Sequence, residues 1–114
     1  METEMMDEQE FKTRADEALQ DLYDALNDAS EEYEGFEADF NSGALSIEFE
    51  KPPAKFVVSP NSPVRQIWVS AHTRSFKLDW KEDQGEFVLL ETGQSLLELM
   101  EWAVGEQLDE EVIL

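Results

Sequence analysis

Glu17, Asp21, Asp24 and Asp28 recur at intervals of three and four, with no Lys or Arg between them. Carboxylates at that spacing share one side of a helix and repel one another, at roughly 0.2–0.5 kcal/mol per neighbouring pair. Their chemistry is that of hard oxygen donors. Such a row can hold a hydrated calcium, magnesium, manganese or iron ion, or meet the lysines and arginines of another protein. The bland alternative is a solvated face that keeps the chain in solution.

Other chemistries are excluded by what the chain lacks. It has no cysteine, so it builds no disulfide, thiolate metal site or thiol nucleophile by itself. His72 is the single histidine, which rules out a two-histidine facial triad or a zinc-protease helix. In a turn it reads as an ordinary surface residue. No glycine-rich phosphate loop and no serine-triad motif is present. Acid–base catalysis by paired carboxylates needs burial to separate their pKa values, whereas these lie on a polar helix flank. No catalytic residue is assigned.

The formal charge of −20 on 114 residues argues against nucleic acid and anionic membranes as partners and in favour of cations or basic proteins. It is unevenly spread: residues 1–39 carry fifteen Asp or Glu against Lys12 and Arg14. No apolar run reaches the roughly 20 residues of a membrane span. The acid-rich start has neither a signal peptide's plan nor a transit peptide's. These features predict a cytoplasmic protein, with a mature organellar form as the other possibility.

The elements that must position these residues follow from periodicity. Asp7 and Glu10 have the form of a capping box, and Phe11, Ala15, Ala18, Leu19, Leu22, Leu26 and Ala29 set one apolar face, predicting a helix over residues 7–30. At 100° per residue, Glu10, Glu17, Asp21, Asp24 and Asp28 fall within about 60° of one another. From Glu34 the period becomes two: Phe36, Ala38 and Phe40, the turn Asn41-Ser42-Gly43, then Leu45, Ile47 and Phe49.

After the break Pro52-Pro53, strands are expected at Lys55–Val58, Arg65–Ala71, Ser75–Lys81 and Glu86–Glu91, with a loop at Ser59–Pro63. Ser95 and Glu98 form a second capping box, opening a helix over residues 95–108 on Leu96, Leu99, Met100, Ala103 and Val104. Val112-Ile113-Leu114 should pack over the open end of the two helices. The expectation is a single α+β domain over residues 1–114: a two-layer α/β sandwich in the order α-β-β-β-β-β-β-α, both helices on one face of an antiparallel sheet of about six strands.

In the strand Arg65–Ala71, Ile67, Val69 and Ala71 alternate with Gln66, Trp68 and Ser70. If the apolar set faces the helices, Trp68 faces water beside Gln66 and near Arg65. Trp and Arg are enriched at binding hot spots, so this strip has the composition of an interface anchor. Its plain alternative is a tryptophan half-covered by a long neighbour such as Lys77.

Three stretches together resemble the frataxin family, including its bacterial CyaY-like members: Phe11 to Leu22 with Ala15-Asp16-Glu17 inside it, Asn41-Ser42-Gly43-Ala44-Leu45-Ser46-Ile47, and Pro63-Val64-Arg65-Gln66-Ile67-Trp68-Val69-Ser70. Leu78-Asp79-Trp80 and Gly93 to Leu99 extend the likeness, which spans about residues 7–105. Gln20 and Asn27 stand where some relatives carry acids, and Phe87 where tryptophan is frequent.

The resemblance implies an accessory protein of iron–sulfur cluster assembly that binds iron (Fe2+ or Fe3+) weakly and docks on the cysteine desulfurase and scaffold protein to modulate cluster formation. It places iron on Asp16, Glu17, Asp24 and Asp28, to which Asp21 is added as part of the same stripe, and partner contacts on Asp24, Asp28, Glu31, Arg65, Gln66 and Trp68. It implies a monomer, with iron-dependent oligomers and a weak iron-oxidising activity as further family properties. The readings from other classes are an acidic secretion-type chaperone, an anionic mimic of nucleic acid, or another acidic protein-binding module without a metal role.

Overall fold

The computed structural model describes residues 7–41, 43–50 and 53–114. Ser42 of the expected turn and Pro52 of the expected break lie outside the described residues. The chain runs α1 (Glu8–Ala29), β1 (Phe36–Asn41), β2 (Ala44–Glu50), β3 (Pro53–Asn61), a 3-10 turn (Ser62–Val64), β4 (Gln66–Ala71), β5 (Arg74–Lys81), β6 (Glu86–Leu89), β7 (Gln94–Ser95) and α2 (Leu96–Leu108). The strands form one antiparallel sheet in sequence order, β1 to β7. The seventh strand is two residues long, too short for an alternating pattern to announce it.

Helix α1 starts where the Asp7 side chain accepts from the Glu10 backbone N–H at 2.8 Å. That is one half of a capping box, and it satisfies one of the four N–H groups a helix start leaves open. Phe11, Ala15, Leu19, Leu22, Leu26 and Ala29 are all buried, each large side chain contributing about 1.5–3 kcal/mol. At α2 the box closes in both directions: Ser95 Oγ accepts from Glu98 N at 3.2 Å, and Glu98 Oε1 accepts from Ser95 N at 3.0 Å. The buried face of α2 is Leu96, Leu99, Met100, Ala103 and Val104.

Strand alternation divides the sheet. Leu45, Ile47, Phe56, Val58, Ile67, Val69, Leu78 and Phe87 face the helices in one core with the two buried helix faces, as the period of two requires. The opposite parity carries Ser46, Val57, Trp68, Ser70, Ser75 and Lys77 on the uncovered face.

Several boundaries differ from expectation: β3 already begins at Pro53, inside the expected Pro-Pro break and paired with Glu50, and β5 begins at Arg74. Strand β3 runs through Ser59-Pro60-Asn61, pairing Ser59 with Trp68 and Pro60 with Ile67. The β2 ladder ends at Val58, so Pro60 lies where β3 is an edge and a missing N–H is tolerated. Arg65 is not in β4: it adopts a left-handed backbone, φ 53°, closing the 3-10 turn. Strand β6 stops at Leu89, whose carbonyl accepts from Thr92 and Gly93 N–H, and leaves Leu90 exposed.

The β4–β5 turn has two residues, His72 and Thr73, both at positive φ. This is the turn geometry whose twist matches that of a hairpin. His72 is not a plain surface residue. Its ring lies 5.0 Å from Phe56 and 5.6 Å from Trp102, and Nε2 is 2.9 Å from the Ala103 carbonyl of α2. The tail is only partly as expected. Val112 is buried and Leu114 half-buried, while Ile113 is exposed. The Leu114 N–H donates to Glu101 Oε2 at 2.8 Å.

Candidate functional site

The carboxylates of α1 are placed by the burial of its other side. With the apolar face locked into the core, Asp16, Glu17, Asp21, Asp24 and Asp28 are all exposed, as is Glu31 just beyond the helix. They do not converge. Asp16 precedes Glu17 by one residue and so is turned about 100° from it around the axis. Glu17 and Asp21 instead border a groove of about 310 Å³ that α1 shares with Trp80, Phe87 and the start of α2. Among the described residues no three Asp, Glu or His side chains are grouped to hold a metal ion.

Two of these charges have local partners one helical turn away. Arg14 lies 3.8 Å from both Glu10 and Glu17, and its guanidinium sits 5.4 Å above the Trp80 ring. The pairs are exposed, so they trim repulsion more than they add stability. Gln20 Nε2 donates to Asp24 Oδ1 at 3.1 Å. Beyond the helix, Glu31, Glu32 and Glu34 carry the exposed acid on to Glu37 and Asp39 of the edge strand β1.

The second candidate surface lies in the middle of the uncovered sheet face. Trp68 is 37% exposed. Its indole N–H donates to Gln66 Oε1 at 2.9 Å, and Gln66 Nε2 donates to Asp79 Oδ1 at 3.1 Å. Lys77, directly opposite Trp68 on β5, places its ammonium 4.9 Å from the indole centroid. The face-to-water and Lys77-covered expectations thus both hold: one side of the ring is stacked and the rest is open. Arg65 bends out of line with the strand, its guanidinium donating to the Ser62 carbonyl.

The structure joins Gln66 and Trp68 to Lys77 and Asp79, which were not among the expected site residues. The signal for them was the length of the β4–β5 turn: pairing Ala71 with Arg74 fixes Trp68 opposite Lys77 and Gln66 opposite Asp79. It does not join this strip to the acidic helix face. The helix lies on the covered side of the sheet and the strip on the other, with the 3-10 turn Ser62–Val64, which packs against α1, between them at the end of the sheet.

Comparison with known proteins agrees with this architecture. The profile of the frataxin-like domain family matches residues 4–110. The iron–sulfur cluster assembly protein CyaY of Azotobacter vinelandii is 29% identical over 102 residues, covering 89% of this chain and 92% of its own. That of Pseudomonas putida is 30% identical over 98 residues, covering 84% and 81%, and mitochondrial frataxin of Caenorhabditis elegans is 29% identical, covering 80% and 69%. The solved frataxin of Psychromonas ingrahamii superposes with a TM-score of 0.74 at 24% identity, over 95% of this chain and 97% of that one. No helix among the described residues is long and apolar enough to cross a membrane. With a profile match over residues 4–110 and relatives aligned over most of its length, the chain belongs to the frataxin-like family.

Proposed function

We propose that this protein is a non-enzymatic accessory factor of iron–sulfur cluster assembly in the bacterial cytoplasm. It docks on the cysteine desulfurase through Asp24, Asp28, Glu31 and the adjoining acidic edge. Arg65, Gln66 and Trp68 meet the scaffold protein, and Lys77 and Asp79 hold Gln66 and Trp68 in place. Iron, as cargo, binds weakly and largely hydrated to Asp16, Glu17, Asp21, Asp24 and Asp28, in competition with the basic partner. The relatives named for cluster assembly support the general role.

The observation that carries the finer reading is the division of the two surfaces. An anionic face without a ligand cage lies in the helical layer, and a half-open tryptophan strip lies on the far side of the sheet. Such a molecule can contact two proteins at once. Frataxin-like membership favours this reading over a secretion-type chaperone.

The test is an anaerobic titration with Fe(II) followed by backbone NMR, then repeated with desulfurase present. Shifts confined to α1 and β1 in the first titration, and iron displaced from them in the second, are expected. Iron shifts centred elsewhere, or undiminished by saturating desulfurase, would overturn the shared-surface claim.

A further inference from the structure

On the side of the molecule away from β1, strand β5 is only half paired. Its ladder with β4 covers Arg74 to Asp79, whereas its ladder with β6 covers only Asp79, Trp80 and Lys81. Among the described residues no strand lies beside Arg74–Leu78 on that edge, because β6 turns away at Leu89. The direction of the main-chain groups follows from the hairpin. The Lys81 carbonyl accepts from Gln84 and Gly85 on the β6 side. Main-chain groups of alternate residues point the same way, so those of Lys77 and Ser75 point to the open edge.

A cleft of about 250 Å³ runs along this edge, bordered by Arg74, Phe76, Leu89, Glu91, Leu99 and Trp102. Trp102 is exposed on α2 and stands edge-on to Phe76 at 6.1 Å, while Arg74 caps the Phe76 ring at 4.9 Å. Trp102 also borders a wider basin lined by Glu98, Glu101, Glu106, Asp109, Glu110 and Glu111, with no basic residue among the described lining.

We propose that this half-edge binds an extended segment of a partner protein by strand addition. The segment would place an apolar or aromatic side chain in the Phe76–Trp102 cleft and carry a following run of lysine or arginine into the acidic basin. Open main-chain donors and acceptors supply the pairing, the cleft selects the side chain, and the one-signed basin selects the charge. Natural sheets usually protect such edges with charge, prolines or bulges. Here the one charged side chain between Arg74 and Leu78, Lys77, is turned over the Trp68 ring on the sheet face. The surface is separate from the acidic helix face; it shares only Lys77 with the Trp68 strip, whose side chain serves the strip while its main chain faces the open edge.

The probe is an acetylated, amidated peptide, Val-Thr-Phe-Thr-Lys-Arg-Lys, added to the full chain and followed by amide shifts and hydrogen exchange. The amides of Ser75 and Lys77 should shift and gain protection. With Phe in the cleft, the two threonines lie opposite Ser75 and Lys77. Methylating the threonine nitrogens should then weaken binding roughly tenfold, the loss of one to two net hydrogen bonds. Methylating the phenylalanine nitrogen should leave it unchanged. Ser75→Pro and Trp102→Ala should each weaken binding similarly, and the methylated peptides decide the matter if either variant fails to fold. The proposal fails if both methylated peptides bind like the parent, if the shifts fall on α1, or if light scattering shows a dimer whose Ser75 and Lys77 amides are already protected without peptide.

Discussion

The indole N–H of Trp68 donates to Oε1 of Gln66, two residues back on the same strand and the same face, at 2.9 Å. Gln66 is fixed in turn by Asp79, and the indole is backed by Lys77. The tryptophan is thus held in one orientation, which would lower the entropy lost if it docks on a partner. It contributes nothing to the core beneath it, which is built from Ile67 and Val69.

Trp68→Ala is therefore expected to leave the far-UV circular dichroism unchanged and the melting temperature within a few degrees of the parent, because surface substitutions rarely exceed about 0.5 kcal/mol. Affinity for the scaffold–desulfurase complex should fall by about 2 kcal/mol, roughly thirtyfold, as for a central aromatic anchor. An unfolded variant would make Trp68 structural; a folded one with full affinity would remove it from the interface.

Gly105 sits where the tail folds back over α2. A Cβ there would stand 2.8 Å from the Glu110 carbonyl oxygen, which is backbone and cannot swing aside. Gly105→Ala should destabilise by about 1–3 kcal/mol despite alanine's higher helix propensity, read as a lower urea midpoint. A stabilised variant would show that the tail does not hold this position.

Thr73 is β-branched and lies at φ 67°, a backbone region that costs an L-residue roughly 1–2 kcal/mol. Thr73→Gly should raise stability by several tenths of a kcal/mol, the relief exceeding glycine's added unfolded-state entropy. Its neighbour is expected to respond oppositely. His72→Ala removes the bond to Ala103 and the packing on Phe56 and Trp102, and should cost about 1–2 kcal/mol. Chemical denaturation of the two variants side by side checks both signs.

The layout of layers was legible because α1 repeats its apolar residues from Phe11 to Ala29 and each strand between Leu45 and Leu78 alternates its own. The second capping box was legible because Ser95 and Glu98 satisfy each other locally. What escaped was long-range. The tie of His72 to α2 depends on a contact across 31 residues, and the Arg14 stack depends on where β5 brings Trp80. Strand β7 is too short to show a period. The acidic residues were legible as a helix flank, but the groove that Glu17 and Asp21 border with Trp80 and Phe87 was not, because it depends on where β5 and β6 pack.

The net charge of −20 implies that the acidic face is held together against its own repulsion. Replacing Asp24 and Asp28 together by lysine should relieve that repulsion and raise the melting temperature by a few degrees. If the same residues dock the desulfurase, the more stable protein should be the poorer binder. The decisive measurement is calorimetric titration of Asp24→Lys/Asp28→Lys into the purified desulfurase at physiological salt, with its melting curve recorded alongside. The expected result is affinity lower by roughly tenfold or more at equal or higher thermal stability. Affinity equal to that of the parent protein would contradict the account.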